Sequence, residues 1–139
     1  MERSGQRVVS FENLRLDNLT PIYAQIIKSF KQQCASGQVL NGDDMPSRRM
    51  LSAMLSVNPN TVQKAYRMLE EEGLIVSKGG AKSVVVLSEE KLKSIRAELL
   101  ETEIAGAAAA LQAWGASKKE AMEIFARVWD ELKRKENKK

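Results

Sequence analysis

The stretch Val57-Asn58-Pro59-Asn60-Thr61-Val62-Gln63-Lys64-Ala65-Tyr66-Arg67-Met68-Leu69-Glu70-Glu71-Glu72-Gly73-Leu74-Ile75 decides how this chain folds. Asn58 can cap a helix, Pro59 suits its first turn, and Gly73 is a stop signal. Between them the apolar residues Val62, Ala65, Tyr66 and Leu69 recur at three and four positions, which predicts a helix over 59–72. At about 100° per residue, Ala65, Tyr66 and Leu69 lie within about 60° of Val62, and Asn60, Gln63, Lys64 and Arg67 lie about 100–200° away. One face suits a core; the opposite face carries amides and cations.

Upstream, Thr20-Pro21 opens a helix expected over 21–36, with Ile22, Tyr23, Ile26, Ile27, Phe30 and Cys34 on its apolar stripe and Gly37 as its stop. Asn41-Gly42-Asp43-Asp44 is turn chemistry, and Pro46-Ser47 opens a second helix over 47–55 with Leu51, Met54 and Leu55 directed inward. Downstream, Leu74–Val76 and Val84–Leu87 are β-branched runs joined by a basic, glycine-containing loop, Ser77 to Ser83, as in a hairpin. Residues 1–19 are expected to form a partly disordered arm, in which Val8, Val9, Phe11, Leu14 and Leu16 can supply an edge strand. After Ser88, a fourth helix carries Leu92, Ile95, Leu99 and Ile104 on one face, continues through the small residues Ala105 to Ala110, and ends at Gly115. Ser117-x-x-Glu120 has capping-box spacing for a fifth helix, with Met122, Phe125, Val128, Trp129 and Leu132 inward. The expected division is an arm (1–19), a compact domain (20–88) and a two-helix region (89–139).

A length of 139 residues is about one domain and leaves no room for a large separate sensor domain. The formal charge is +4 with a pI near 9.3. Residues 1–88 hold 11 basic and 8 acidic side chains, so the cationic excess lies mainly there, a lean toward a polyanionic partner. The absence of histidine removes imidazole acid–base chemistry and imidazole metal sites, and one cysteine cannot form an internal disulfide. Cys34, in register with Ile26 and Phe30, is expected to be a buried small hydrophobe. Gly79-Gly80 lies in a hairpin and is too short to cradle phosphates. No enzyme activity, catalytic residue, metal or cofactor is expected. Lacking a signal peptide or an apolar run of about 18 residues, the chain is expected to be cytoplasmic, with no membrane partner.

Three short helices followed by a two-stranded hairpin is the order of a winged helix-turn-helix, and Ser56-Val57-Asn58 has the tight length of its connecting turn. The fold class is therefore mainly α with a small β-hairpin, an α+β arrangement followed by a two-helix dimerisation region. Cations in the first turn of a helix oppose its dipole, so Arg48 and Arg49, beside Ser47, are candidates for gripping phosphates. Asn60, Gln63, Lys64 and Arg67 can read base edges, and Lys78, Gly79 and Lys82 at the hairpin tip can lie against the backbone or minor groove. A merely solvated helix face and lysine protection of a strand edge are the competing explanations.

The runs Pro21-Ile22-Tyr23-x-Gln25-Ile26, Met45-Pro46-Ser47-x-Arg49-x-Leu51 and Val57-Asn58-Pro59-Asn60-Thr61-Val62-x-x-Ala65-Tyr66-x-x-Leu69-Glu70-x-Glu72-Gly73-Leu74-Ile75 resemble the DNA-binding domain of the GntR family of bacterial transcription regulators. Asn-Pro-Asn at 58–60 and the roughly 50 residues after the hairpin resemble its YtrA-type branch, whose C-terminal part is two helices. The resemblance implies DNA contacts by Arg49, by Asn58, Asn60, Thr61 and Gln63, and by Gly79. Lys78-Gly79-Gly80-Ala81-Lys82-Ser83-Val84 departs from the family's R-G-x-G-T-F-V, lacking its second glycine and its aromatic. It also implies a homodimer on a pseudo-palindromic double-stranded DNA operator, acting as a repressor of transporter or cell-envelope stress genes. Leu92, Ile95, Leu99, Trp114 and Trp129 are the expected dimer contacts, and an unidentified small-molecule effector would sit near Trp114 and Phe125. Alternatives are a self-contained helical hairpin and a winged helix that binds protein without specific DNA recognition.

Overall fold

The computed structural model describes residues 7–138. Helix α1 (Ile22–Ser36) begins after extended Pro21 and ends at Gly37, whose left-handed backbone, φ 84°, lets its N–H reach the final carbonyls. In α2 (Arg48–Leu55) the Ser47 hydroxyl caps the first turn by accepting from the Met50 N–H at 3.1 Å. Ser56 then takes φ 56° and turns the chain sharply into α3 (Pro59–Glu71). A non-glycine residue in that region costs roughly 1 kcal/mol, which the tight helix-turn-helix connection imposes. Helix α3 packs on both α1 and α2 and leads into β1 (Ile75–Ser77).

Strand β1 pairs antiparallel with β2 (Ser83–Val85) in the register Ile75↔Val85, Val76↔Val84, Ser77↔Ser83. The strands thus include the two serines expected in the loop, because a turn closed by Lys78 N–H to Lys82 C=O at 2.9 Å fixes the register. Asp44 extends this small sheet, bridging Val84 on one side and Val8 on the other. The arm is therefore not free over its described residues. Its Val9 N–H donates to the Asp44 carbonyl at 2.8 Å, and Val9 and Phe11 are buried in the main core. Burial of these side chains together with a paired backbone orders the segment although it carries no helical repeat. Residues 1–6 of the expected arm lie outside the described residues.

The core joins Ile26, Phe30 and Cys34 of α1, Leu51 of α2, Val62, Ala65, Tyr66 and Leu69 of α3, and Ile75 and Val85 of the hairpin. Met54, expected inward, is exposed, since α2 buries only the side carrying Leu51 and Ser52. Helix α4 (Glu89–Ala113) starts on this core: Ile95 is 4 % exposed within it, and Leu92 and Leu99 pack against it. Compact packing accordingly divides after Leu99 rather than before α4. Ile95 spends its apolar surface inside the chain, and the half-buried Leu92 and Leu99 rest part of theirs against the same core. Lys31, itself buried, adds polar ties, meeting Glu72 at 2.9 Å and Glu98 at 2.7 Å. Lys91 Nζ donates to the Gly73 carbonyl at the end of α3 at 2.6 Å.

The second unit contains the rest of α4 and α5 (Lys118–Asn137), which Ser117 caps by accepting from Glu120 N–H at 3.1 Å. None of the α5 residues is buried. Met122, Phe125, Val128, Trp129 and Leu132, expected inward, are exposed, as is Ile104. Two helices share only one seam, so apolar residues away from it have nothing in the unit to pack against. Trp114 is 78 % exposed, and the rings of Phe125 and Trp129 meet with centroids 5.9 Å apart and planes tilted by 35°. Among the described residues no helix is long and apolar enough to cross a membrane.

Candidate nucleic-acid interface

Helix α3 owes its orientation to its buried stripe. With Val62, Ala65, Tyr66 and Leu69 fully enclosed, the opposite residues Asn60, Gln63, Lys64 and Arg67 are all exposed. They span residues 60–67, about 10 Å along the axis at 1.5 Å per residue, within the roughly 12 Å width of a DNA major groove. Arg67 leans on Glu71 at 3.7 Å, a weak surface pair. The Lys64 ammonium rests over the Tyr23 ring at 4.1 Å. Tyr23 was not among the expected site residues, although its motif was conspicuous. Only the fold brings an α1 aromatic beneath an α3 lysine.

Two expected contact residues have structural work of their own. The Asn58 side chain caps α3 by accepting from the Asn60 N–H at 2.8 Å, and Ser47 caps α2. Thr61 is half-buried in the first turn of α3. Arg49 projects into solvent from the first turn of α2. Arg48 does not: its Nη2 pairs with Glu70 at 2.9 Å, and its guanidinium lies over the Tyr66 ring at 5.0 Å. Glu70 is a second participant the sequence reading missed. The signal was available, because an arginine opposing its own helix dipole needs a partner, and an internal carboxylate serves as well as a phosphate.

At the hairpin tip Lys78, Gly79 and Lys82 are exposed. Gly79 and Gly80 take φ 95° and 60°, and a Cβ on either would meet open space. Backbone conformation, rather than crowding, is what calls for glycine there. The tip is a small cationic loop on a two-stranded stem.

In the second unit, an apolar groove of about 270 Å³ is lined by Leu111, Ala116, Glu120, Ala121, Ile124, Phe125 and Val128. It includes Phe125 but not Trp114. Groups of three or more side chains able to hold a metal do not occur among the described residues.

The profile of "Bacterial regulatory proteins, gntR family" matches residues 22–85. Over 56 residues the chain is 52 % identical to the HTH-type transcriptional repressor YtrA of Bacillus subtilis (strain 168), covering 40 % of this chain and 43 % of that one. The chain spans less than half the length of the curated relatives it first matches. Among solved structures, a GntR family transcriptional regulator from Listeria monocytogenes shares the fold, with a TM-score of 0.71 at 24 % identity over 81 % of this chain and 98 % of that one. YtrA from Sulfolobus acidocaldarius, a GntR-family transcription factor, is 32 % identical, with a TM-score of 0.50 over 87 % of this chain and 98 % of that one. With a winged helix-turn-helix, two further helices and this identity across nearly all of a family member, the chain belongs to the GntR family of bacterial transcription regulators.

Proposed function

We propose that the chain is a sequence-specific DNA-binding repressor that engages a pseudo-palindromic operator as a homodimer. The observation that carries this is the division of α3 into a buried apolar stripe and an exposed face of Asn60, Gln63, Lys64 and Arg67. Asn and Gln can each bond adenine through two atoms, and Arg can do so with guanine, whereas a merely solvated face has no need of amides. Arg49 and the hairpin lysines Lys78 and Lys82 supply phosphate contacts, and the open backbone at Gly79 admits close approach. Asn58 joins them through its backbone N–H at the start of α3 and Ser47 through its own at α2, whereas Thr61, whose N–H donates to the Asn58 carbonyl at 2.9 Å, does so through its hydroxyl.

Dimerisation rests on the second unit, where Trp114, Phe125, Trp129 and Leu132 expose more apolar surface than a small monomer usually leaves uncovered. Trp114 and Trp129 are the anchors of that contact. In a two-fold dimer each α3 meets a half-site about one DNA turn, roughly 34 Å, from the other. The strong match to a protein named a transcriptional repressor supports repression as the output. Control of transporter or cell-envelope stress genes follows from the YtrA-type likeness, and a small-molecule effector has the Phe125 groove available to it. The site of action is then the cytoplasm.

Fluorescence anisotropy tests the proposal, using a duplex recovered from a random library by selection on the full chain and a scrambled duplex of the same composition. Selected DNA should bind about 10³-fold or more tighter than scrambled DNA, with log affinity falling steeply against log salt. Sedimentation of the free protein at micromolar concentration should give twice the 15.5 kDa chain mass. Equal, salt-insensitive binding to both duplexes would favour a winged helix that contacts protein, and a monomeric mass would remove the dimer.

A further inference from the structure

Arg48 and Arg49 are neighbours in sequence with opposite surroundings. Arg49 is exposed, whereas the Arg48 side chain is 23 % exposed and held on two sides, by Glu70 at 2.9 Å and by the Tyr66 ring at 5.0 Å. Its Nε is buried without a hydrogen-bond partner, so the guanidinium keeps this orientation at the expense of one bond. Tyr66 is itself fully buried, and its hydroxyl donates to the Pro46 carbonyl at 2.6 Å, just ahead of α2. Tyr66 and Glu70 stand one turn apart on α3, so the start of α2 is fastened to α3 at two successive levels. Glu70 already neutralises the Arg48 charge, and swinging the guanidinium out toward a phosphate would give up its contacts with both Glu70 and the Tyr66 ring.

We infer that Arg48 is a positioning residue, not a phosphate ligand: pinned between Glu70 and Tyr66, it sets the angle of α3 to α2 and thereby the joint presentation of Arg49, Asn60 and Gln63. The inference rests on the DNA-binding function proposed above and refines the division of labour within it. A planar guanidinium is suited to the role because it can pair through its edge and stack through its face at once, which an ammonium cannot.

The salt slope separates the two roles, since its magnitude falls by about 0.9 for every phosphate the protein no longer neutralises, whereas misaligned reading heads lower affinity without changing the ion count. The same selected and scrambled duplexes serve as probes, with thermal unfolding as the folding control. Arg48→Met should weaken selected-duplex binding about tenfold and leave the salt slope unchanged, whereas Arg49→Ala should flatten it. Glu70→Gln should also weaken selected binding, by roughly fivefold, and combining Arg48→Glu with Glu70→Arg should recover most of the loss.

If Arg48 grips phosphate, Glu70→Gln instead releases a competitor and tightens binding. That result, a flattened slope in Arg48→Met, or unchanged affinity in both variants would overturn the inference while leaving DNA binding intact. Should Arg48→Met fail to fold, Glu70→Gln and the exchanged pair decide. A wild-type protein without salt-dependent preference for the selected duplex would overturn the DNA-binding function, and this inference with it.

Discussion

Arg49→Ala is expected to weaken binding to selected and scrambled duplexes alike, whereas Gln63→Ala is expected to lose discrimination with scrambled-duplex affinity intact. The difference follows from where each side chain stands. Arg49 leaves the first turn of α2, the helix that crosses the sugar–phosphate backbone in a helix-turn-helix, and has solvent around it. Backbone phosphates carry no sequence information, so its loss should be uniform and should reduce the salt slope by about 0.9 per phosphate released. Gln63 projects from the exposed side of α3, and a bidentate amide–base pair provides about 1–3 kcal/mol of discrimination against the wrong base. Anisotropy against a panel of duplexes changed one base pair at a time reads both effects. Equal, sequence-independent losses from the two substitutions would mean that α3 does not read bases through Gln63.

The largest stability effect outside the apolar core is expected at Lys31. Changing both of its partners, Glu72→Gln with Glu98→Gln, should destabilise the protein by about 2–3 kcal/mol, while Lys31→Met should stay within about 1 kcal/mol of wild type. The asymmetry comes from burial. Lys31 is enclosed, whereas Glu72 and Glu98 are largely in water, so removing the carboxylates strands a buried charge and removing the lysine strands nothing. The double change falls short of the roughly 3–5 kcal/mol of a fully buried pair because water reaches this rim. Urea unfolding with an unchanged m-value measures it, and an equal loss from Lys31→Met would contradict the argument.

The pH dependence has a definite sign. Burial works to lower the Lys31 pKa, but the hydrogen bonds and charges of Glu98 and Glu72 outweigh it and hold the group above its ordinary 10.5. That stabilisation is complete below pH 10.5 and disappears as pH rises through the folded value. Burial, helped by the charge of Asp43, pushes the Cys34 thiol from 9.0 up to about 12, and burial also raises Tyr66 above its ordinary 10.0. Both groups ionise more readily unfolded. Stability should therefore hold across neutral pH and begin to fall above pH 9, led by Cys34.

The elements of the winged helix were legible because their signals are local. Asn58-Pro59, Pro46-Ser47 and Gly37 mark helix ends by their own conformational chemistry, and the stripe from Val62 to Leu69 needs only helical geometry to point inward. What the sequence hid was non-local. The pairing of the arm with Asp44, 36 residues beyond Val8, and the burial of Phe11 depend on non-local partners that periodicity cannot register. Ile95 carries an apolar pattern that suits a dimer seam and an internal core equally well, and only the docking of α4 on the winged helix decides between them. For the same reason Arg48 looked like a second Arg49: a cation opposing its own helix dipole calls for an anion, and the fold supplies Glu70.

The exposed face of α3, carrying Asn60, Gln63, Lys64 and Arg67, is expected to enter the major groove. The most direct measurement is the affinity of the selected duplex after its purines are replaced by 7-deaza analogues, which lack the N7 acceptor of the major groove, compared with inosine for guanine, which lacks only the minor-groove amino group. Loss of about tenfold or more with the 7-deaza duplex and little change with inosine is the expected result. Insensitivity to the 7-deaza substitution, with loss on inosine, would place the reading in the minor groove and contradict the account.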